Sequence, residues 1–161
     1  MLYSSQNPQR AIEACERGLE TATRIGDLAL QSRLYTSLAV AYCELTNRCE
    51  ERGVDAARTA IEIDRRVGHL DHLTVSLVVL GQIYQCHGDP DLALSYYTEA
   101  LGLAEQSGEP QLMFPCYDGL ATLYLDIDDG EQAEHYMRKA KETCERAGLD
   151  PDALMVLPFL A

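Results

Sequence analysis

The chain has 161 residues, 47% of them apolar and 24% charged, which is enough for one domain with a substantial core. Thirteen basic residues against 26 acidic ones leave a net charge of −13, a surface that repels phosphate backbones and anionic lipid and makes nucleic acid and membranes poor partners. No apolar run approaches the ~20 residues that span a bilayer, and the first five residues lack the basic flank and apolar run of a signal peptide, so a cytoplasmic location is expected.

Apolar residues recur at three-to-four spacing along the chain and predict helices near 8–25, 28–46, 51–67, 71–87, 90–107, 110–127, 130–147 and 151–160. Asn7-Pro8 opens the first, an amide cap followed by a proline that tolerates the first helical position. The fourth is clearest, with Leu73, Leu77, Leu80, Ile83 and Tyr84 at helical spacing. Gly88-Asp89-Pro90 stops it, caps the next helix and starts it. The fifth carries Ala93, Tyr97, Ala100, Leu101 and Ala104 on one face, and Gly108 closes it. Asp129-Gly130 supplies the turn before the seventh. Alternation at period two is never sustained, so no sheet is expected and the class is all-α.

Superimposed on the helices is a repeat. Gly26, Gly68, Gly108 and Gly148 stand 42, 40 and 40 residues apart. Leu80-Gly81-x-x-Tyr84 with Ala93 and Ala100 returns as Leu120-Ala121-x-x-Tyr124 with Ala133 and Ala140, and an earlier copy reads Leu38-Ala39-x-x-Tyr42 with Ala60. Each period holds two helices, which bury their faces only when neighbouring pairs stack. Small residues at matching places (Ala39, Gly81, Ala121; Ala60, Ala100, Ala140) let paired axes approach, while Tyr96, Tyr97 and Tyr136 are expected to fill the gaps between helices. The parse is a half repeat at 1–27, repeats at 28–68, 69–108 and 109–148, and a half repeat at 149–161. The two extra residues of the 42-residue copy are expected within 47–52. The ends imply either a piece of a longer protein or a complete chain whose apolar end (Leu154, Val156, Leu157, Phe159, Leu160) is buried against a second copy of itself.

The spacing Leu80-Gly81-x-x-Tyr84-x-x-x-Gly88-Asp89-x-x-x-Ala93-x-x-x-Tyr97-x-x-Ala100 resembles the tetratricopeptide repeat, and Tyr117-x-x-Leu120-Ala121-x-x-Tyr124 with Ala133 and Ala140 resembles it nearly as well. The copy at 28–68 departs from the pattern, with Gly53 where an alanine is expected, and the 40-residue period is longer than the usual ~34. Longer periods of this kind are similar to the repeats of kinesin light chains and of the sensor arms of bacterial transcription activators and signalling enzymes. HEAT-type repeats share the period but lack the Gly/Ala-x-x-Tyr spacing. The resemblance implies a right-handed α-α superhelix of about eight antiparallel helices, working as a non-catalytic module that binds a protein or peptide. It also implies a setting within a bacterial signalling or regulatory protein.

In that family the first helix of each pair lines the concave face, which maps here onto Arg33, Thr36, Val40 and Cys43, then Val75, Val78, Val79, Gln82 and Gln85, then Asp118, Thr122 and Leu125. The basic clamp by which some members hold a terminal carboxylate is absent: Arg33 alone is basic, and Asp118 and Asp126 would repel a carboxylate. The row suits an apolar or basic protein or peptide laid against Val75, Val78 and Val79. Residues 73–80 are also apolar nearly all round, which fits burial between neighbouring helices instead; both readings stand at this point. A homodimer through the apolar terminal half repeat is a second functional reading, and a small-ligand sensor arm a third.

No cofactor or metal is expected. Asp126-x-Asp128-Asp129-Gly130 is not a calcium loop, because its glycine comes one place early and Met137 stands where a glutamate ligand belongs. His69-x-x-His72 and Cys86-His87 lack converging ligands in sequence. Cysteines at 15, 43, 49, 86, 116 and 144 form no Cys-x-x-Cys pair and read as reduced thiols. No phosphate loop, nucleophile elbow or paired catalytic carboxylate appears, so no enzymatic activity is expected.

Overall fold

Side chains at the helix ends set the elements. Asn7, Asp27, Asp89 and Asp129 each accept a hydrogen bond from the backbone N–H three residues on, supplying a partner for a donor that a helix start leaves unpaired. The computed structural model describes residues 7–46 and 51–148. These form seven helices: α1 Pro8–Ile25, α2 Leu28–Thr46, α3 Glu51–Val67, α4 Leu70–His87, α5 Pro90–Ser107, α6 Pro110–Asp126 and α7 Gly130–Ala147. No strand occurs among the described residues. Seven of the eight predicted helices are therefore in place, with ends within one residue of the sequence reading. The eighth, near 151–160, lies outside the described residues, as does most of the 47–52 segment.

Consecutive helices pack against one another, and each of α2, α4 and α6 packs most extensively on the helix that follows it. Beyond these pairs, α2 touches α4 and α4 touches α6. The stack is written directly in its hydrogen bonds. Ser32 Oγ lies 3.2 Å from His72 Nδ1, and Thr36 Oγ1 lies 3.0 Å from Ser76 Oγ, each pair 40 residues apart. This is the helical solenoid anticipated from the repeat, in which a first helix meets the first helix of the next pair.

The tightest contact in the stack involves Tyr97 of α5, whose side chain is wholly buried. Its ring lies against Gly81 of α4 and Gly119 of α6. A Cβ at Gly81 would stand 2.8 Å from the ring, and one at Gly119 would stand 2.6 Å from it. Neither distance is tolerable for carbon, so glycine is required at both places by close approach. The phenol hydroxyl donates to Gln85 Oε1 at 2.9 Å, so the ring's polar end is satisfied. Two further tyrosine pairs repeat with the helices: Tyr84 stacks on Tyr96 with centroids 5.6 Å apart, and Tyr124 on Tyr136 at 5.7 Å.

Gly119→Ala should destabilise the fold by about 1–3 kcal/mol in urea denaturation through overpacking against Tyr97. In a Tyr97→Leu background the same change should turn neutral or stabilising, because a mid-helix glycine itself costs about 0.5–1 kcal/mol relative to alanine. An equal penalty in both backgrounds would show that the ring is not the cause.

Candidate functional site

The twelve residues assigned to the concave row divide by exposure. Thr36, Val40, Val78, Val79 and Gln82 are buried, Arg33 and Leu125 are exposed, and Cys43, Val75, Gln85, Asp118 and Thr122 are half-buried. The contacts of α4 with α2 and α6 account for the burial. Of the two readings left open for residues 73–80, Val78 and Val79 follow enclosure between helices. The positions that remain open on α4 and α6 are Val75, Gln85, Asp118, Thr122 and Leu125, with Arg33 on α2. Asp118, Thr122 and Leu125 are four and three residues apart and so share one side of α6. Leu154, Val156, Leu157, Phe159 and Leu160, proposed for self-association, lie outside the described residues.

Polar groups on this side are tied together. The Tyr97 hydroxyl donates to Gln85 Oε1, and Gln85 Nε2 donates to Asp126 Oδ2, linking the end of α4 to the end of α6. Burial pushes the Tyr97 phenol far above its ordinary range, with smaller contributions from Cys86, Asp118 and Asp126. Burial also raises the Asp118 carboxyl above the usual carboxylate range, and no cation among the described residues pairs with it.

A second polar cluster, absent from the sequence reading, lies inside the first junction of the stack. Ser32 Oγ donates to the carbonyl of Ala60 at 3.2 Å, so its proton is committed and the neighbouring His72 Nδ1 must act as donor. That nitrogen also donates to Asp64 Oδ2 at 2.9 Å, where Ser76 Oγ donates at 3.0 Å. Thr36 completes the set beside Ser76. Serine, histidine and aspartate here do not make a hydrolase relay. Both partners meet the same imidazole nitrogen, whereas a relay uses opposite ones, and Ser32 is closed to any substrate. The Asp64 Oδ1 atom is buried with no hydrogen-bond partner. The cluster clamps α2, α3 and α4 together. In sequence it leaves only polar residues at core-facing places, which no local motif distinguishes.

The described cysteines divide by exposure: Cys86 is exposed, and Cys15 and Cys43 are half-buried. Cys116 and Cys144 are buried, and Cys116 Sγ donates to the carbonyl of Leu112. Burial pushes the Cys116 thiol up to about 12, so it stays protonated at neutral pH. His69 precedes α4 without a side-chain cap, while His72 belongs to the buried cluster. Among the described residues no three His, Cys, Asp or Glu side chains converge on one point.

Charge is distributed with a bias that a whole-chain total conceals. Between Arg66 and Arg138 lie 71 residues with twelve acidic side chains and no lysine or arginine. This stretch, covering α4, α5, α6 and the start of α7, carries nearly the whole net charge of −13. The signal was readable in sequence by counting in windows instead of over the chain.

With that geometry in view, two segments match family models described as the tetratricopeptide repeat: residues 76–111, from α4 through α5, and residues 116–147, from α6 through α7. No curated protein matches the chain. Among the described residues no helix is long and apolar enough to cross a membrane.

Two outcomes follow from the buried and half-buried carboxylates. His72→Ala strips the enclosed Asp64 of its imidazole partner and should cost about 3 kcal/mol or more by urea denaturation, whereas a His72→Ala, Asp64→Leu double variant should recover part of that loss. The folded chain binds the Asp118 proton more tightly than the unfolded chain, whose value is near 3.8. Ionised Asp118 therefore costs stability above its folded value, and the cost vanishes below the unfolded one. Asp118→Asn should raise Tm at neutral pH and bring no gain in acid; the same gain at both would show that charge is not responsible.

Proposed function

We propose that this chain is a protein-binding module that holds an extended or helical peptide of a partner along the open part of the α2–α4–α6 side. Tetratricopeptide repeats commonly mediate protein–protein interaction and typically serve as non-catalytic scaffolds, and two of them are recognised here. The observation that carries the reading is the side of α6 bearing Asp118, Thr122 and Leu125. Leu125 stands 54% exposed near the end of the helix, one turn from the half-buried Thr122 and two turns from Asp118, a carboxylate with no cation partner among the described residues. Val75 of α4 and Arg33 of α2 extend the row.

Enclosure of Val78 and Val79 leaves a small apolar area, so binding in the micromolar range is expected, with selectivity set by the polar groups. A natural partner would bring apolar side chains to Val75 and Leu125 and a cation to Asp118.

Peptides selected on the wild-type chain from a displayed random library test the reading. A Val75→Asp, Thr122→Arg variant alters two half-buried positions of the row and should keep its helical spectrum while losing about ten-fold or more in affinity, the equivalent of roughly 1.4 kcal/mol. Unchanged affinity in a folded variant would remove this side as the site.

A further inference from the structure

A different surface lies at the edge of the stack, where α4 and α6 end and α5 and α7 begin. Leu92 and Ile127 stand 39% and 44% exposed there, and Leu125 borders them. Asp89, Asp91, Asp126, Asp128, Asp129 and Glu131 flank these apolar residues in the two turns, and the Gln85–Asp126 hydrogen bond ties the end of α4 to the end of α6. Among the described residues none of these six carboxylates pairs with a lysine or arginine. The two turns thus carry exposed apolar groups beside carboxylates and no lysine or arginine.

One residue on it runs against stability. Asp128 adopts φ +60° in the left-handed region, at the place where Gly88 stands forty residues earlier with φ +76°. The two turns make the same bonds. Gly88 and Asp89 donate to the carbonyls of Gln85 and Tyr84, and Asp128 and Asp129 donate to those of Leu125 and Tyr124. Glycine adopts this conformation without the steric penalty a side chain incurs. A carboxylate is kept where glycine would be more stable, a form of strain found where a side chain serves another end.

We propose that this edge docks a basic, apolar segment of a partner protein. Its aliphatic side chains would lie on Leu92 and Ile127, and its lysine or arginine side chains among Asp89, Asp126 and Asp128. Charge selects this occupant. A like copy of the same edge, a phosphate backbone or an anionic bilayer would meet the carboxylates with the same sign, and a neutral apolar segment would cover them without supplying a countercharge. The inference rests on the reading of the chain as a protein-binding module but uses a neighbouring surface that meets the α2–α4–α6 row at Leu125, so the residues on either side of Leu125 show which of the two fails.

The test uses the full chain, isotopically labelled, titrated with a short synthetic peptide of alternating lysine and leucine. Lysine–serine and glutamate–leucine peptides of the same length serve as comparisons. The lysine–leucine peptide should shift the amides of residues 88–92 and 126–131, the lysine–serine peptide should bind about ten-fold more weakly, and the glutamate–leucine peptide should not bind. Asp128→Gly should raise Tm and yet weaken the lysine–leucine peptide about two- to five-fold, the loss of one charge pair. Ile127→Ser should weaken it about ten-fold at unchanged Tm. Equal binding of the lysine–serine peptide would reduce the edge to bare electrostatics and overturn the proposal. So would an Asp128→Gly chain that gains stability at unchanged affinity. Shifts confined to Val75 and Thr122 would overturn it too, while leaving the α2–α4–α6 reading intact.

Discussion

The ring of Tyr97 sits where α4, α5 and α6 meet, and it fits because Gly81 and Gly119 present no side chain to it. Close-packed interiors do not yield continuously, so this single fit sets how far apart the first helices of the second and third pairs can stand. From it follows the enclosure of Val78, Val79 and Gln82 and the alignment of Gln85 with Asp126. The choice of which residues stay open to a partner follows as well. The open side of α6 is a by-product of how tightly one aromatic side chain draws its neighbours in.

The two junctions between pairs solve the same packing problem with opposite chemistry. In the first, places 32, 36, 64, 72 and 76 hold Ser, Thr, Asp, His and Ser, which hydrogen-bond across three helices. Forty residues on, places 104, 112 and 116 hold Ala, Leu and Cys, which build no such network, and the polar link there runs through Tyr97, Gln85 and Asp126. A buried carboxylate with an unanswered oxygen is a poor source of stability, but it rejects misaligned neighbours, because any shift of register would leave several polar groups unpaired at once. The polar junction fixes alignment, and the apolar side chains of the next one supply burial.

Much of the architecture was legible because its signals are local. Caps, the left-handed glycine turns and three-to-four spacing each act within a few residues, so seven helices could be placed almost to the residue. The stack was legible because the signature repeats at forty. What escaped is non-local. Gly119 carries no repeat signal, since Val79 occupies the matching place one copy earlier, and its reason is a ring on another helix. Asp64 and His72 lie on different helices, and nothing in their spacing announces a buried cluster. The concave row was drawn from the family's assignment of every first helix to an open face. Here α4 is packed against both α2 and α6, and Val78 is enclosed. Residues 73–80, apolar almost all round, already hinted at enclosure.

The absence of lysine and arginine between Arg66 and Arg138 has a consequence for chemistry done to the molecule by others. Trypsin has no cleavage point across α4, α5 and α6, so even the unfolded chain releases this block as one large acidic fragment. Enzymes that acetylate, methylate or ubiquitinate lysine find no substrate there. Any such control of the chain must be exerted from its flanks, leaving the middle pair beyond the reach of amine-directed regulation.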